Sequence, residues 1–142
     1  MKVKDAMTTD VEVARPADSI QQVARRMSEL DTGVIPVCDG QRVQGIITDR
    51  DIAIRVVAEG GDINAPVSQY MTEDVEYAYE SDDLEKVAQR MGDLQIRRMI
   101  VVDSNKDLAG IISLGDLARE GKARKIGAVL EEISESGDQP AS

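Results

Sequence analysis

Gly45-Ile46-Ile47-Thr48-Asp49-Arg50-Asp51-Ile52 returns 65 positions later as Gly110-Ile111-Ile112-Ser113-Leu114-Gly115-Asp116-Leu117. In each stretch the aliphatic pair reads as the end of a buried strand. The hydroxyl followed three residues on by a carboxylate reads as the start of a helix. The chain around these stretches is also written twice. At an offset of 64, Met7-Thr8, Asp10-Val11-Glu12 and Ala14 fall on Met71-Thr72, Asp74-Val75-Glu76 and Ala78. Asp18, Val23, Ala24, Arg26, Met27 and Leu30 then fall on Asp82, Val87, Ala88, Arg90, Met91 and Leu94, and Val37 and Asp39 on Val101 and Asp103. Two copies make a pseudo-twofold pair and are too few for a solenoid.

Each copy predicts the order strand, helix, strand, strand, helix. Val11-Glu12-Val13 alternates like a short strand, and Asp18-Ser19-Ile20-Gln21, echoed by Asp82-Asp83-Leu84-Glu85, signals a helix start. Ile20, Val23, Ala24, Met27 and Leu30 recur at helical spacing, as do Leu84, Val87, Ala88, Met91 and Leu94, which predicts one core-facing side per helix. Hairpins are expected from Val34–Cys38 with Val43–Thr48 and from Met99–Asp103 with Leu108–Ser113. A second helix begins at Thr48 and at Ser113. Gly60-Gly61 supplies a left-handed stop, and a further helical piece is expected over 126–133 before a polar tail.

Composition narrows the chemistry. Among 142 residues there are 17 Lys and Arg against 27 Asp and Glu, a net charge of −10 that opposes a phosphate backbone, so nucleic acid is not expected as a partner. No apolar run approaches the roughly 18 residues a membrane span needs, and Met1 to Met7 lack the apolar core of a secretory leader. The cytoplasm is the expected compartment. With no His and a single cysteine, Cys38, an internal disulfide, Ser-His-Asp or Cys-His catalysis and a His-based metal site are all excluded. Asp39 and Asp103 each end an apolar strand, but a phosphoacceptor site also needs an earlier acidic pair and a later Lys, and neither is found. The chain is expected not to be an enzyme.

The repeated turns admit two readings. Thr48 with Asp51, and Ser113 with Asp116, have the spacing of a helix capping box. The same turn places free N–H groups and a hydroxyl where a phosphate would sit, and a carboxylate where a ribose diol would sit. The residues alone leave both open.

The chain resembles a cystathionine β-synthase (CBS) domain pair, or Bateman module, over about Lys4 to Arg119. The resemblance rests on Met7-Thr8 and Met71-Thr72, on the Pro-Val and Val-Val strands ending in Asp39 and Asp103, and on the two Gly-hydrophobic-hydrophobic-Thr/Ser-x-x-Asp turns. It implies an α/β (α+β) fold of tandem repeats, β-α-β-β-α each, with two inter-repeat clefts. The domains would be 1–61 and 67–125, with a linker at 62–66 and a C-terminal helical piece and acidic tail at 126–142. Such pairs bind adenosine compounds and regulate a partner, so AMP, ADP or ATP is expected as a regulatory ligand, with no cofactor and no metal required.

By the same resemblance Asp51 and Asp116 would accept from ribose hydroxyls, and Thr48 and Ser113 would meet phosphate. Ile46 or Ile111 would lie against adenine, with the backbone near Ala78 or Ala14. Arg97 and Arg98 stand where the family carries basic residues for phosphate, whereas the other copy has Gly33-Val34, so the two sites are expected to be unequal. Arg50, with Arg55 beyond it, would supply charge on the Thr48 side. A homodimer is expected through Val56, Val57, Ala118 and the 126–133 segment, and an unknown effector protein is the further partner. The alternative is a CBS pair that dimerises or interacts without binding nucleotide.

Overall fold

Val34–Asp39 and Arg42–Thr48 form β1 and β2, an antiparallel hairpin with Val34 opposite Thr48 and Gly40 in its turn at φ +63°. Ahead of it lies α1, Ile20–Leu30; after it come the short helix α2, Asp49–Asp51, and a π-helical stretch, Ile52–Val57. The second copy gives β3 (Tyr77–Tyr79), α3 (Leu84–Leu94), β4 (Arg98–Val102), β5 (Leu108–Ser113) and α4 (Leu114–Arg119). β3 and β4 are parallel, β4 and β5 antiparallel. The mixed α/β architecture of two tandem repeats is as expected. This computed structural model describes residues 1–119; the expected helix at 126–133 lies outside them.

Two compact units are present, and they are not cut where the sequence repeats. One is Glu12–Val75; the other joins residues 1–11 to residues 76–119. The Met-Thr head of each copy completes the sheet of the other. Thr72 exchanges main-chain bonds with Ile46 at 2.9 and 2.8 Å, and Thr8 exchanges them with Ile111 at 2.9 Å each way. These close approaches explain the glycine of the repeated turn. A Cβ at Gly45 would lie 2.6 Å from the Thr72 carbonyl oxygen, and one at Gly110 would lie 2.5 Å from that of Thr8.

The helix faces form two separate cores. Ile20, Val23 and Met27 pack with Ala14, Ile35, Val37, Ile47, Val56, Val67 and Met71 in the first unit. Leu84, Val87, Ala88 and Met91 pack with Val3, Ala78, Met99, Val101, Ile112, Leu114 and Leu117 in the second. Each large aliphatic side chain so buried contributes about 1.5–3 kcal/mol.

Several expectations need correction. Leu30 and Leu94, placed on the core faces, are 45% and 41% exposed, because each ends its helix and the next residue, Asp31 or Gln95, turns left-handed. The helix start is one residue later than the Asp-x-x-Gln reading: Ser19 caps α1, accepting from Gln22 N–H while Gln22 reaches back. Asp18 instead accepts from the Arg15 N–H at 2.9 Å. Val11–Val13 is not a strand, and only Ala14 bridges to Val37. Prolines are the reason. In the second copy the Glu80 N–H donates to the Val102 carbonyl at 2.9 Å, but its counterpart is Pro16, and Pro36 likewise stands where Ile100 has an N–H. Val56, expected on a dimer face, is wholly buried, whereas Ile54 and Val57 are 52% and 64% exposed. The π-helical turn, with Ala58 N–H donating to the Ala53 carbonyl and Gly61 N–H to that of Val56, carries Val56 inward.

Candidate functional site

The two turns have one geometry. The Thr48 N–H donates to Asp51 Oδ2 at 3.0 Å and Thr48 Oγ1 accepts from the Asp51 N–H at 3.0 Å. In the second unit the Ser113 N–H donates to Asp116 Oδ2 at 3.0 Å and Ser113 Oγ accepts from the Asp116 N–H at 3.1 Å. The capping reading is therefore correct as a statement of local structure. It leaves the ligand reading standing at Asp51, whose carboxylate has two oxygens of which the cap fixes one. Among the described residues, no partner is found for Asp51 Oδ1.

Each turn is tied to the start of the preceding strand. The Asp49 N–H donates to the Gly33 carbonyl at 3.0 Å, and the Leu114 N–H donates to the Arg97 carbonyl at 3.1 Å. Gly33 thus sits beside its own turn, buried, and Arg97 beside the other, exposed; Arg98 is half-buried, opposite Ser113 in the β4–β5 ladder. The structure accordingly brings Gly33, Ile46, Thr48 and Asp51 together in one unit, and Arg97, Arg98, Ile111, Ser113 and Asp116 in the other. Arg50 and Arg55 point their charge to solvent.

The turns differ in exposure. Asp116 is only 4% exposed, whereas Asp51 is half-buried. Ile46 and Ile111 are also half-buried, each held to a Met-Thr head through the main chain. Ala14 and Ala78 are wholly buried core residues, and both polar main-chain atoms of Ala14 are engaged: its N–H on the Pro36 carbonyl, its carbonyl under the Cys38 N–H. Any role for these alanines is one of positioning the first strand.

Sequence reasoning passed over Arg26 and Arg90. Arg26 donates to the Val13 carbonyl at 2.7 Å and to Asp18 at 3.1 Å; Arg90 donates to the Tyr77 carbonyl at 3.3 Å and to Glu76 at 3.1 Å. The 64-residue match of the two arginines was the available signal. Tyr77 and Tyr79 meet each other edge-on with centroids 6.0 Å apart. Among the described residues no group of three or more Cys, Asp or Glu is placed to hold a metal ion, and no helix is long and apolar enough to cross a membrane.

Comparison with known proteins follows the sequence repeats. The CBS domain family matches residues 3–58 and again 67–122. The CBS domain-containing protein YhcV of Bacillus subtilis (strain 168) is 41% identical over 133 residues, 93% of this chain and 94% of its own. Hypoxic response protein 1 of Mycobacterium tuberculosis is 30% identical over 118 residues, 82% of each chain. A crystal structure of Hypoxic Response Protein I with two coordinated zinc ions superposes with TM-score 0.75 at 30% identity, covering 84% of this chain and 98% of that one. The CBS domain pair of MJ0100, in complex with methylthioadenosine and S-adenosyl-L-methionine, superposes with TM-score 0.74 at 26% identity, covering 87% and 98%.

Proposed function

The chain belongs to the CBS domain family, with two copies in tandem, and we propose that it is a non-enzymatic regulatory module that binds an adenine nucleotide at its Thr48–Asp51 and Ser113–Asp116 turns. The observation that carries this reading is the duplicated turn, with hydroxyl and carboxylate held in matching bonds in both units. At Asp51 a carboxylate fixed through one oxygen by the Thr48 N–H offers the other to a ribose diol without first having to be ordered. The adenosine ligands of the MJ0100 pair support the ligand class. Arg97 and Arg98, flanking the Ser113 turn, give that side the forked cations suited to a longer phosphate chain.

The nucleotide's effect passes to another protein. Ile54 and Val57, exposed on the helix that the Thr48 cap begins, offer the surface for a homodimer or an effector. The same exposed pair favours the second reading, in which the module interacts without any ligand. Calorimetric titration of the full chain with AMP, ADP, ATP and S-adenosylmethionine decides between them. Saturable binding of any of these at sub-millimolar concentration supports the sensor, and no saturable heat with any of them leaves the interaction module.

A further inference from the structure

The unit Glu12–Val75 holds a cavity of about 400 Å³ away from the Thr48 turn, with Cys38 and Gly40 at the far end of β1 and Val13 and Arg15 along one side. The second copy is an internal comparison. Where the first has Val13 and Arg15, the second has Tyr77 and Tyr79, whose rings pack together; where the first has Cys38 and Gly40, the second has Val102 and Ser104. Three further lining positions are the same in both: Glu12 and Glu76, Asp18 and Asp82, Arg26 and Arg90. The first copy has kept the charged frame and removed two phenol rings from within it.

The charges are also distributed differently. In the second copy Arg90 pairs with Glu76; in the first Arg26 pairs with Asp18, at 3.1 Å in both cases. This leaves the Glu12 carboxylate and the Arg15 guanidinium on the cavity rim with no side-chain bond or ion pair to any described residue. One unpartnered acid and one unpartnered base on a cavity of this volume, beside the apolar Val13 and the buried Cys38 thiol, are complementary to a small zwitterion carrying an aliphatic group. We propose that this cavity is a second small-molecule site, taking an aliphatic α-amino acid with its carboxylate on Arg15, its ammonium on Glu12 and its side chain toward Val13 and Cys38. Rim charges in water are worth little individually, so the site is a low-affinity one, with Kd about 1 mM.

The test is an amide-resolved NMR titration of the full chain with L-leucine, alongside isocaproate, which lacks the ammonium, and isoamylamine, which lacks the carboxylate. L-leucine is expected to shift the Cys38 and Gly40 amides saturably, with each single-charge analogue weaker by about fivefold. Arg15→Gln should weaken L-leucine and isocaproate but not isoamylamine, and Glu12→Gln should weaken L-leucine and isoamylamine but not isocaproate. Arg15→Tyr, which restores the residue of the second copy, should abolish the shifts. Absence of saturable shifts at these amides overturns the site, and isocaproate binding as well as L-leucine overturns the zwitterion. AMP binding to the same variants is measured in parallel. Because the cavity shares no lining residue with either turn, its outcome and that of the nucleotide titration are read separately.

Discussion

The guanidinium of Arg26 donates to the main-chain carbonyl of Val13, thirteen residues earlier, at 2.7 Å. That carbonyl belongs to the residue just before Ala14, which bridges to Val37, and the Arg15 N–H on the other side of Ala14 is taken by Asp18, which also holds Arg26. The second copy repeats the arrangement, with Arg90 on the Tyr77 carbonyl and Asp82 on the Tyr79 N–H. One helix residue and one turn residue thus close an edge that would otherwise pair with another chain.

Arg26→Ala is therefore expected to destabilise the first unit by about 1–3 kcal/mol, the range for a lost charge-assisted bond to the main chain. It should also raise self-association, with no change in AMP affinity. Denaturant unfolding and light scattering measure the first two. Unchanged stability would mean that water replaces the guanidinium at no cost.

Asp51→Asn with Asp116→Asn separates cap from ribose ligand. Asn keeps one acceptor oxygen for the cap N–H, so the cost without ligand should stay at or below about 0.5–2 kcal/mol per site. The charge that takes two ribose hydroxyls is gone, and the AMP-induced rise in melting temperature should vanish. Thermal scans with and without AMP read both quantities, and a preserved AMP shift sinks the ribose assignment.

Arg97→Gln with Arg98→Gln should weaken ATP more than adenosine, because a forked cation gains with each added phosphate charge. Titration calorimetry that shows equal losses for the two ligands contradicts a phosphate role for this pair.

Gly45→Ala and Gly110→Ala test the close approach of the Met-Thr heads. The added carbon would fall 2.6 Å and 2.5 Å from backbone oxygens that cannot rotate away, so a loss of about 1–3 kcal/mol is expected at each. Each substitution acts on the unit completed by the other copy's head. Hydrogen exchange resolved by residue should show the Gly110→Ala loss at Thr8 and Ile111, and protection unchanged there would refute the head exchange.

Burial raises the Cys38 thiol from 9.0 to about 11. Well below pH 9 the thiol is protonated in both the folded and unfolded states and stability does not depend on it. From pH 9 toward 11 only the unfolded chain releases the proton, so stability falls as pH rises, by up to about 2–3 kcal/mol. Cys38→Val, the residue found at the matching position of the second copy, should remove that slope. The difference between the two proteins' unfolding free energies across this range measures it, and parallel curves would show that the folded thiol ionises normally.

The sequence by itself determined the duplication, the amphipathic helices, both hairpins and the paired hydroxyl-carboxylate turns. The helices and turns rest on spacings of four residues or fewer, where each residue's partner is fixed by helix geometry; the hairpins rest on apolar runs adjacent in sequence, and the duplication on an ordered match at offsets of 64 and 65. Alternation over Val11–Val13 read as a strand that the structure does not form, where Pro16 and Pro36 lack the N–H a ladder needs. Tertiary structure alone decided which unit each Met-Thr head completes. It also put Arg26 on a strand edge thirteen residues back, turned Val56 inward and Val57 outward, and left Asp116 more deeply buried than Asp51. It opened the space beside Cys38 as well. These depend on contacts between segments distant along the chain, and the first copy's sequence permits more than one such arrangement until packing and main-chain hydrogen bonding select one.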